Sequence, residues 1–428
     1  MTALISCSSA EQPVLNILVT PERSKVLRQS GDDVIFHVEV QGQNRKPLKR
    51  VPLNLAVVLD RSGSMSGAKL EQAKQAASSV VDQLSAGDVF SLVTYNTDVQ
   101  VLVPAQQVGN RELLHSKINA IRCGGSTALY AGVEEGSNQV REYLDRNKIN
   151  RVILLSDGMA NVGPRSPADL ARLGSRLVED RINVTTIGLG DDYNEDLMMA
   201  LAESSAANYY YVKDAEKLPG IFREELGYLQ SVVARNIRII IELPEGVTAV
   251  EIIGRPDVVF KNNRAELVLN EHYSSQSRSF LVRCRVSEGK SKTIELARVN
   301  TQYRDEVAGM DRENLVRASL ELTDDRKVSE ASLNAEVGRQ TALARNAASR
   351  ERALALADQG KTKEAAKVLK DQASWNLALP SAVRSQKLDS DNAALASTAD
   401  VLEKDGQLDK ANRKAFQYEN YRQKNQKQ

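Results

Sequence analysis

The spacing of apolar positions changes along this chain, and each change predicts a different kind of structure. Leu15, Ile17 and Val19 alternate with their neighbours, and Val34, Phe36 and Val38 alternate against Ile35, His37 and Glu39. A period of two predicts half-buried strands across residues 14–40, with a turn at Gly31-Asp32-Asp33. Residues 41–50 are polar and basic and read as a connector.

From residue 52 to 230, apolar runs alternate with segments of helical period. The runs at 53–59, 89–95, 151–155, 182–189 and 209–212 predict strands; 68–84, 111–121, 129–144, 167–179 and 195–202 predict helices. Strands that are apolar almost throughout, separated by helices, indicate a mostly parallel sheet covered on both faces. Residues 51–231 are therefore expected to form a doubly wound α/β domain, with the tyrosines 209–211 in a buried last strand.

Strand-like alternation returns at 237–243, ended by Pro244-Glu245-Gly246, and continues at 258–260, 265–269, 279–286 and 293–299. Neither this segment nor the first has enough strands to close a core and protect its edges. Together, residues 14–50 and 232–303 predict one β-sandwich interrupted by the α/β domain. Residues 304–420, rich in Ala, Glu, Lys, Arg and Leu, read as a helical region. Within it 353–357, Gly360 and 365–369 resemble a tetratricopeptide-type hairpin. One such unit cannot bury its own face, so docked hairpins are expected rather than a repeat array. Residues 1–13 and 421–428 are expected to be disordered tails.

Composition narrows the function classes. With 428 residues, 42% hydrophobic and 26% charged, the chain has a globular mix and room for about three domains. Lys plus Arg number 57 against 56 for Asp plus Glu, a net charge of +1, which argues against a nucleic-acid partner. No apolar run approaches the roughly 18 residues of a membrane-spanning helix. Cys7, Cys123 and Cys284 are scattered without a CxxC pair, and His37, His115 and His272 are equally dispersed. That excludes a disulfide framework and a zinc-type site, so any metal must be held by oxygen. Cys123 is expected to pack as a small apolar residue.

The start has two readings. As written it carries no secretory signal, which suits a cytoplasmic protein with a frayed tail. Leu4-Ile5-Ser6-Cys7 nevertheless resembles a bacterial lipobox. In that alternative Cys7 carries a lipid anchor on a cell-envelope lipoprotein whose true start lies upstream.

The candidate chemistry lies where the predicted strands end. Asp60-Arg61-Ser62-Gly63-Ser64 follows the first α/β strand, Gly124-Gly125-Ser126-Thr127 opens a helix, and Leu155-Ser156-Asp157-Gly158 ends another strand. Two carboxylates and three hydroxyls make a hard, all-oxygen donor set suited to Mg²⁺ or Mn²⁺. One divalent cation would neutralise the two charges of Asp60 and Asp157, which otherwise repel.

Asp60-x-Ser62-x-Ser64, Thr127 and Asp157 match, residue for residue, the metal-ion-dependent adhesion site of von Willebrand factor type A domains, which residues 53–230 resemble. The resemblance implies a central, mostly parallel sheet and a cation, Mg²⁺ with Mn²⁺ or Ca²⁺ as other occupants. Asp60, Ser62, Ser64, Thr127 and Asp157 would reach it directly or through water. One coordination position would be left for an Asp or Glu carboxylate of a partner protein, linking metal and partner affinity. It implies protein binding, scaffolding or adhesion and no catalysis. The flanking regions more distantly resemble bacterial proteins with one such domain, related to the calcium-activated chloride channel and inter-α-inhibitor heavy chain group.

Two enzyme readings fit the residues less well. A haloacid dehalogenase-type phosphohydrolase would use Asp60 as nucleophile, but Ser62 stands where it needs a second carboxylate as general acid. The run 63–70 has the wrong glycine spacing for a Walker loop, and 188–194 lacks the third glycine of a dinucleotide fingerprint. The latter is expected to be a strand-to-helix turn capped by Asp191, Asp192 or Asn194.

Overall fold

A computed structural model describes residues 12–28, 33–45, 50–255, 258–287 and 291–425. The lipobox-like Cys7, residues 31–32 of the glycine turn and residues 46–49 of the basic connector lie outside these residues. The chain divides into two compact units. One comprises residues 1–49, 231–342 and 380–385, and the other 50–230, 343–379 and 386–428.

The first unit opens with β1 (Leu15–Pro21), β2 (Lys25–Leu27) and β3 (Asp33–Gly42). In β3 the residues Val34, Phe36, Val38 and Val40 are buried as the alternation predicts, but Ile35 and His37 between them are buried as well.

The second unit begins with β4 (Leu53–Asp60), in which all eight residues are buried, and α1 (Ala68–Gln83). There follow β5 (Val89–Tyr95), β6 (Val99–Gln107), α2 (Arg111–Asn119), α3 (Leu129–Arg141), β7 (Ile149–Ser156) and α4 (Pro167–Glu179). Then come β8 (Asn183–Leu189), α5 (Glu195–Ser204), β9 (Tyr209–Val212) and α6 (Leu218–Gln230). The strands form one sheet in the order β6-β5-β4-β7-β8-β9, parallel except for β6, which pairs antiparallel with β5.

Ala56, Val58, Val93, Val152 and Leu154 face a core shared with α3, α4 and α5. Leu55, Val57 and Leu59 alternate to the other face and are fully buried there. Local chemistry sets the helix starts. Ser166 and Asp169 form a capping box around Pro167, and the Asn194 side chain accepts from Leu197 N to cap α5. Helix α3 approaches β4 closely because Gly136 has no side chain: a Cβ there would lie 2.4 Å from Val58 Cγ2.

The chain returns to the first unit as β10 (Val232–Glu242), β11 (Val247–Ile252), β12 (Arg264–Tyr273), β13 (Ser277–Val286), β14 (Thr293–Asp305) and β15 (Met310–Thr323). A four-stranded sheet runs β1-β3-β13-β11 and a five-stranded sheet β12-β10-β14-β15-β2. Residues of both, among them Phe36, Val282, Ile239 and Val299, share one apolar core. Two expectations are corrected here. The strand lies at Val247–Ile252, not at 258–260, where Val258 and Phe260 only pack against the core from an irregular segment. Residues 310–323, assigned above to the helical region, are a strand. Val316, Ala318, Leu320 and Leu322 alternate onto the core, a period of two hidden among charged residues that favour helices.

Helices follow: α7 (Arg326–Ala331), α8 (Ala335–Asp358), α9 (Thr362–Leu377), α10 (Gln386–Asp405) and α11 (Lys410–Asn425). α8 and α9 form a hairpin about Gly360, at φ +76°, where a left-handed backbone favours glycine. Helix α11 continues through Asn425, correcting the tail expected from 421. Tyr421 anchors it, donating to Ala207 O and accepting from Tyr209 N at the last strand of the sheet. Among the described residues no helix is long and apolar enough to cross a membrane.

Candidate metal centre

The candidate residues gather where β4 and β7 end, the edge at which open α/β sheets place their sites. Three turns meet there, and backbone hydrogen bonds tie them together. Gly63 N donates to Gly125 O at 3.1 Å, Gly124 N to Arg61 O at 2.8 Å, and Asn161 N to Thr127 O at 3.1 Å. Gly125 sits at φ +82°, and a Cβ there would come within 2.9 Å of the Asn96 and Thr97 side chains. Only glycine allows this approach.

Asp60 is fully buried. Its Oδ1 accepts from Ser62 N and its Oδ2 from Ser156 Oγ, each at 2.8 Å. Burial raises its carboxyl pKa above the ordinary value; these hydrogen bonds oppose that, and the nearby charge of Asp157 adds to it. The Ser62 and Ser64 hydroxyls are 3.1 Å apart, and Ser64 Oγ donates to Asp157 Oδ1 at 2.7 Å. Asp157 is fully buried, and its Oδ2 accepts from Lys69 Nζ at 2.5 Å. Thr127 is held by its backbone, with N donating to Asn161 Oδ1 at 2.8 Å and O accepting from Asn161 N. A Cβ on Gly158 would lie 3.2 Å from Ser64 Oγ and 3.6 Å from Thr127 Oγ1, so both hydroxyls face one small space.

Ser62, Ser64, Thr127 and Asp157 line a single open cavity of about 410 Å³, together with Met159, Asn161, Asp192 and Lys410. Asp60 is not on its wall. Four of the five expected residues thus share a solvent-facing cavity, and the fifth is bonded to the backbone of Ser62 directly behind it. Among the described residues no group of three or more His, Cys, Asp or Glu is placed to hold a metal. A cation at this cavity would therefore depend on hydroxyls as well as carboxylates.

Residues given no role by the sequence also shape the site. Ser156, beside Asp157 in the run Leu155-Ser156-Asp157-Gly158, orients Asp60 and is detectable there from its position at the strand end. Asn96 arrives from the β5–β6 loop and Lys69 from α1, while Asn161 stands four residues after Asp157 in the loop that follows β7; no motif marks them. Cys123 is exposed, correcting its expected burial, because it lies in the loop ahead of the glycines.

Residues 54–224 match the von Willebrand factor type A domain. Over 318 residues the chain is 27% identical to protein sll0103 of Synechocystis sp., covering 69% of this chain and 74% of that protein. It is 27% identical over 223 residues to protein YfbK of Escherichia coli, covering 51% of this chain and only 39% of YfbK. The solved structure of von Willebrand factor type A from Catenulispora acidiphila shares the fold, with TM-score 0.69 and 17% identity over 92% of this chain and 97% of that one. The chain therefore contains a von Willebrand factor type A domain, a type that commonly binds a divalent metal and mediates protein interactions.

Proposed function

We propose that this protein binds another protein through a divalent cation, Mg²⁺ in the first instance, held by Ser62, Ser64, Thr127 and Asp157 with Asp60 acting from behind through water. A partner Asp or Glu carboxylate completes the shell. The observation that carries this reading is the convergence of three separate turns on one open, oxygen-lined cavity. Spacing supports the ion. The edge of an octahedron with metal–oxygen bonds of about 2.0–2.1 Å is about 2.9 Å. The Ser62–Ser64 and Ser64–Asp157 oxygen separations of 3.1 and 2.7 Å bracket that edge.

Charge supports it as well. Among the described residues the two buried carboxylates have one ammonium at hydrogen-bond distance, that of Lys69 on Asp157. A dication taking the place of that ammonium would neutralise the two carboxylates, and the open side of the cavity admits an anionic ligand to the same ion. A phosphohydrolase reading is not favoured: Ser62 occupies the place of its general acid and is hydrogen-bonded to Ser64. The domain type favours a binding role.

The test is affinity capture by the full-length protein in Mg²⁺ and in excess EDTA, with Thr127→Ala as control. Partners specific to this site are expected to elute with EDTA and to be retained at least about tenfold less by the variant. Retention unchanged in EDTA contradicts the proposal, as does hydrolysis of an aryl phosphate that Asp60→Asn abolishes.

A further inference from the structure

Lys69 belongs to the second residue position of α1, nine residues beyond Asp60, and nothing in the adhesion-site pattern accounts for it. Its Nζ donates to Asp157 Oδ2 at 2.5 Å, while Asp157 Oδ1 is taken by Ser64. The carboxylate is fully buried, whereas the lysine side chain is one-third exposed. One partner of this pair is fixed and the other can leave.

We propose that Lys69 is an exchangeable counter-ion of Asp157, displaced when a divalent cation binds the cavity and then presented to the incoming ligand. This rests on the metal-site reading and deepens it. An ammonium and a dication cannot share one buried carboxylate at contact distance without strong repulsion, and that repulsion grows as water is excluded. The lysine, with a compact charge on a flexible four-carbon stem, is the member that can move.

The surroundings provide a destination. Gly190, at φ +74°, flanks Nζ, and a Cβ there would lie 3.8 Å from it, so the turn leaves the ammonium room. Beyond it is Asp192, whose carboxyl pKa is lowered by the hydrogen bond and charge of Lys410 and, further, by the charge of Lys69. Asp192 and Lys410 both line the metal cavity, with Lys410 Nζ 3.1 Å from Asp192 Oδ1. A displaced Lys69 therefore joins Lys410 at the rim, giving two ammonium groups against one carboxylate. The expected partner is an acidic segment, with one carboxylate on the ion and another on this rim.

The experiment titrates Mn²⁺ into full-length wild type, Lys69→Met and Lys69→Arg by calorimetry. Lys69→Met is expected to bind Mn²⁺ at least about tenfold more tightly than wild type, and Lys69→Arg, which keeps the charge, within about threefold of it. A second readout needs no variant: reductive methylation of wild type followed by mass spectrometry. Saturating Mn²⁺ should raise the Lys69 labelling rate at least about fivefold, as the amine loses its buried partner. Equal or weaker binding by Lys69→Met, or labelling of Lys69 that ignores Mn²⁺, overturns the exchange while leaving the metal site standing. If none of the three proteins binds Mn²⁺, the metal-site reading itself fails and the exchange fails with it.

Discussion

Asp157→Ala is expected to lose divalent-cation binding by at least about 100-fold while the protein remains folded. Weakening a residue that only orients a metal ligand commonly costs 10–100-fold in affinity, and Asp157 is proposed to be nearer the ion than that. The fold should tolerate the change for a reason visible in the site. Asp157 contacts Ser64, which lines the open cavity, and Lys69, whose side chain is one-third exposed, so water can replace the lost carboxylate for both. Removing it also relieves the repulsion that helps raise the Asp60 pKa. Calorimetric Mn²⁺ titration together with a thermal melt by circular dichroism checks both halves. Tight binding in the variant would remove Asp157 from the site, and a collapsed melt would make it a structural residue.

The largest stability effect is expected on the face of the same sheet turned away from α3, α4 and α5. Glu225 of α6 is fully buried and accepts from Thr185 Oγ1 and Asn208 Nδ2, each at 2.5 Å, and from Tyr210 OH at 2.8 Å. The guanidinium of Arg151, also buried, lies 3.9 Å from its Oε1 and donates to Thr185 Oγ1 at 3.2 Å. Glu225→Ala takes away the acceptor of three buried hydrogen bonds and the carboxylate that lies 3.9 Å from the buried Arg151 guanidinium. Breaking one side of such a pair costs about 3–5 kcal/mol, far more than the intact pair is worth. Urea unfolding followed through Trp375, the only tryptophan and a residue of the same unit, reads the loss directly. A midpoint that barely moves would mean that water reaches this cluster. Cation binding, measured where the variant is still folded, should be unaffected.

These two expectations differ in how far the sequence foretells them. The ends of β4 and β7 are evident because their apolar runs stop at Asp60 and Ser156, and the motif residues sit in the turns that follow. The antiparallel strand β6 carries a weaker signal: it is an edge strand with mixed burial and contains Pro104, which edge positions tolerate. β15 was hidden for a different reason. Arg312, Glu313, Arg317 and Glu321 suit a helix, and only the four apolar residues facing the core disclose the strand. Lys69 and Glu225 illustrate a harder limit. Their significance comes from partners 88 and 74 residues away along the chain, and only folding reveals such pairs. The helices α9–α11 were foreseen as helices, yet their place in the same unit as the α/β sheet depends on contacts such as Lys414 with Glu195 and Tyr193 O.

The central claim is that oxygen atoms from three turns hold one cation. Crystals of the full-length protein soaked in Mn²⁺ test it most directly, through anomalous scattering at the manganese edge. One strong peak is expected in the cavity, within coordination distance of the Ser62, Ser64 and Thr127 hydroxyls and reduced to background in Asp157→Ala crystals. A cavity without anomalous density at saturating Mn²⁺, or a peak bound elsewhere on the domain, would contradict it.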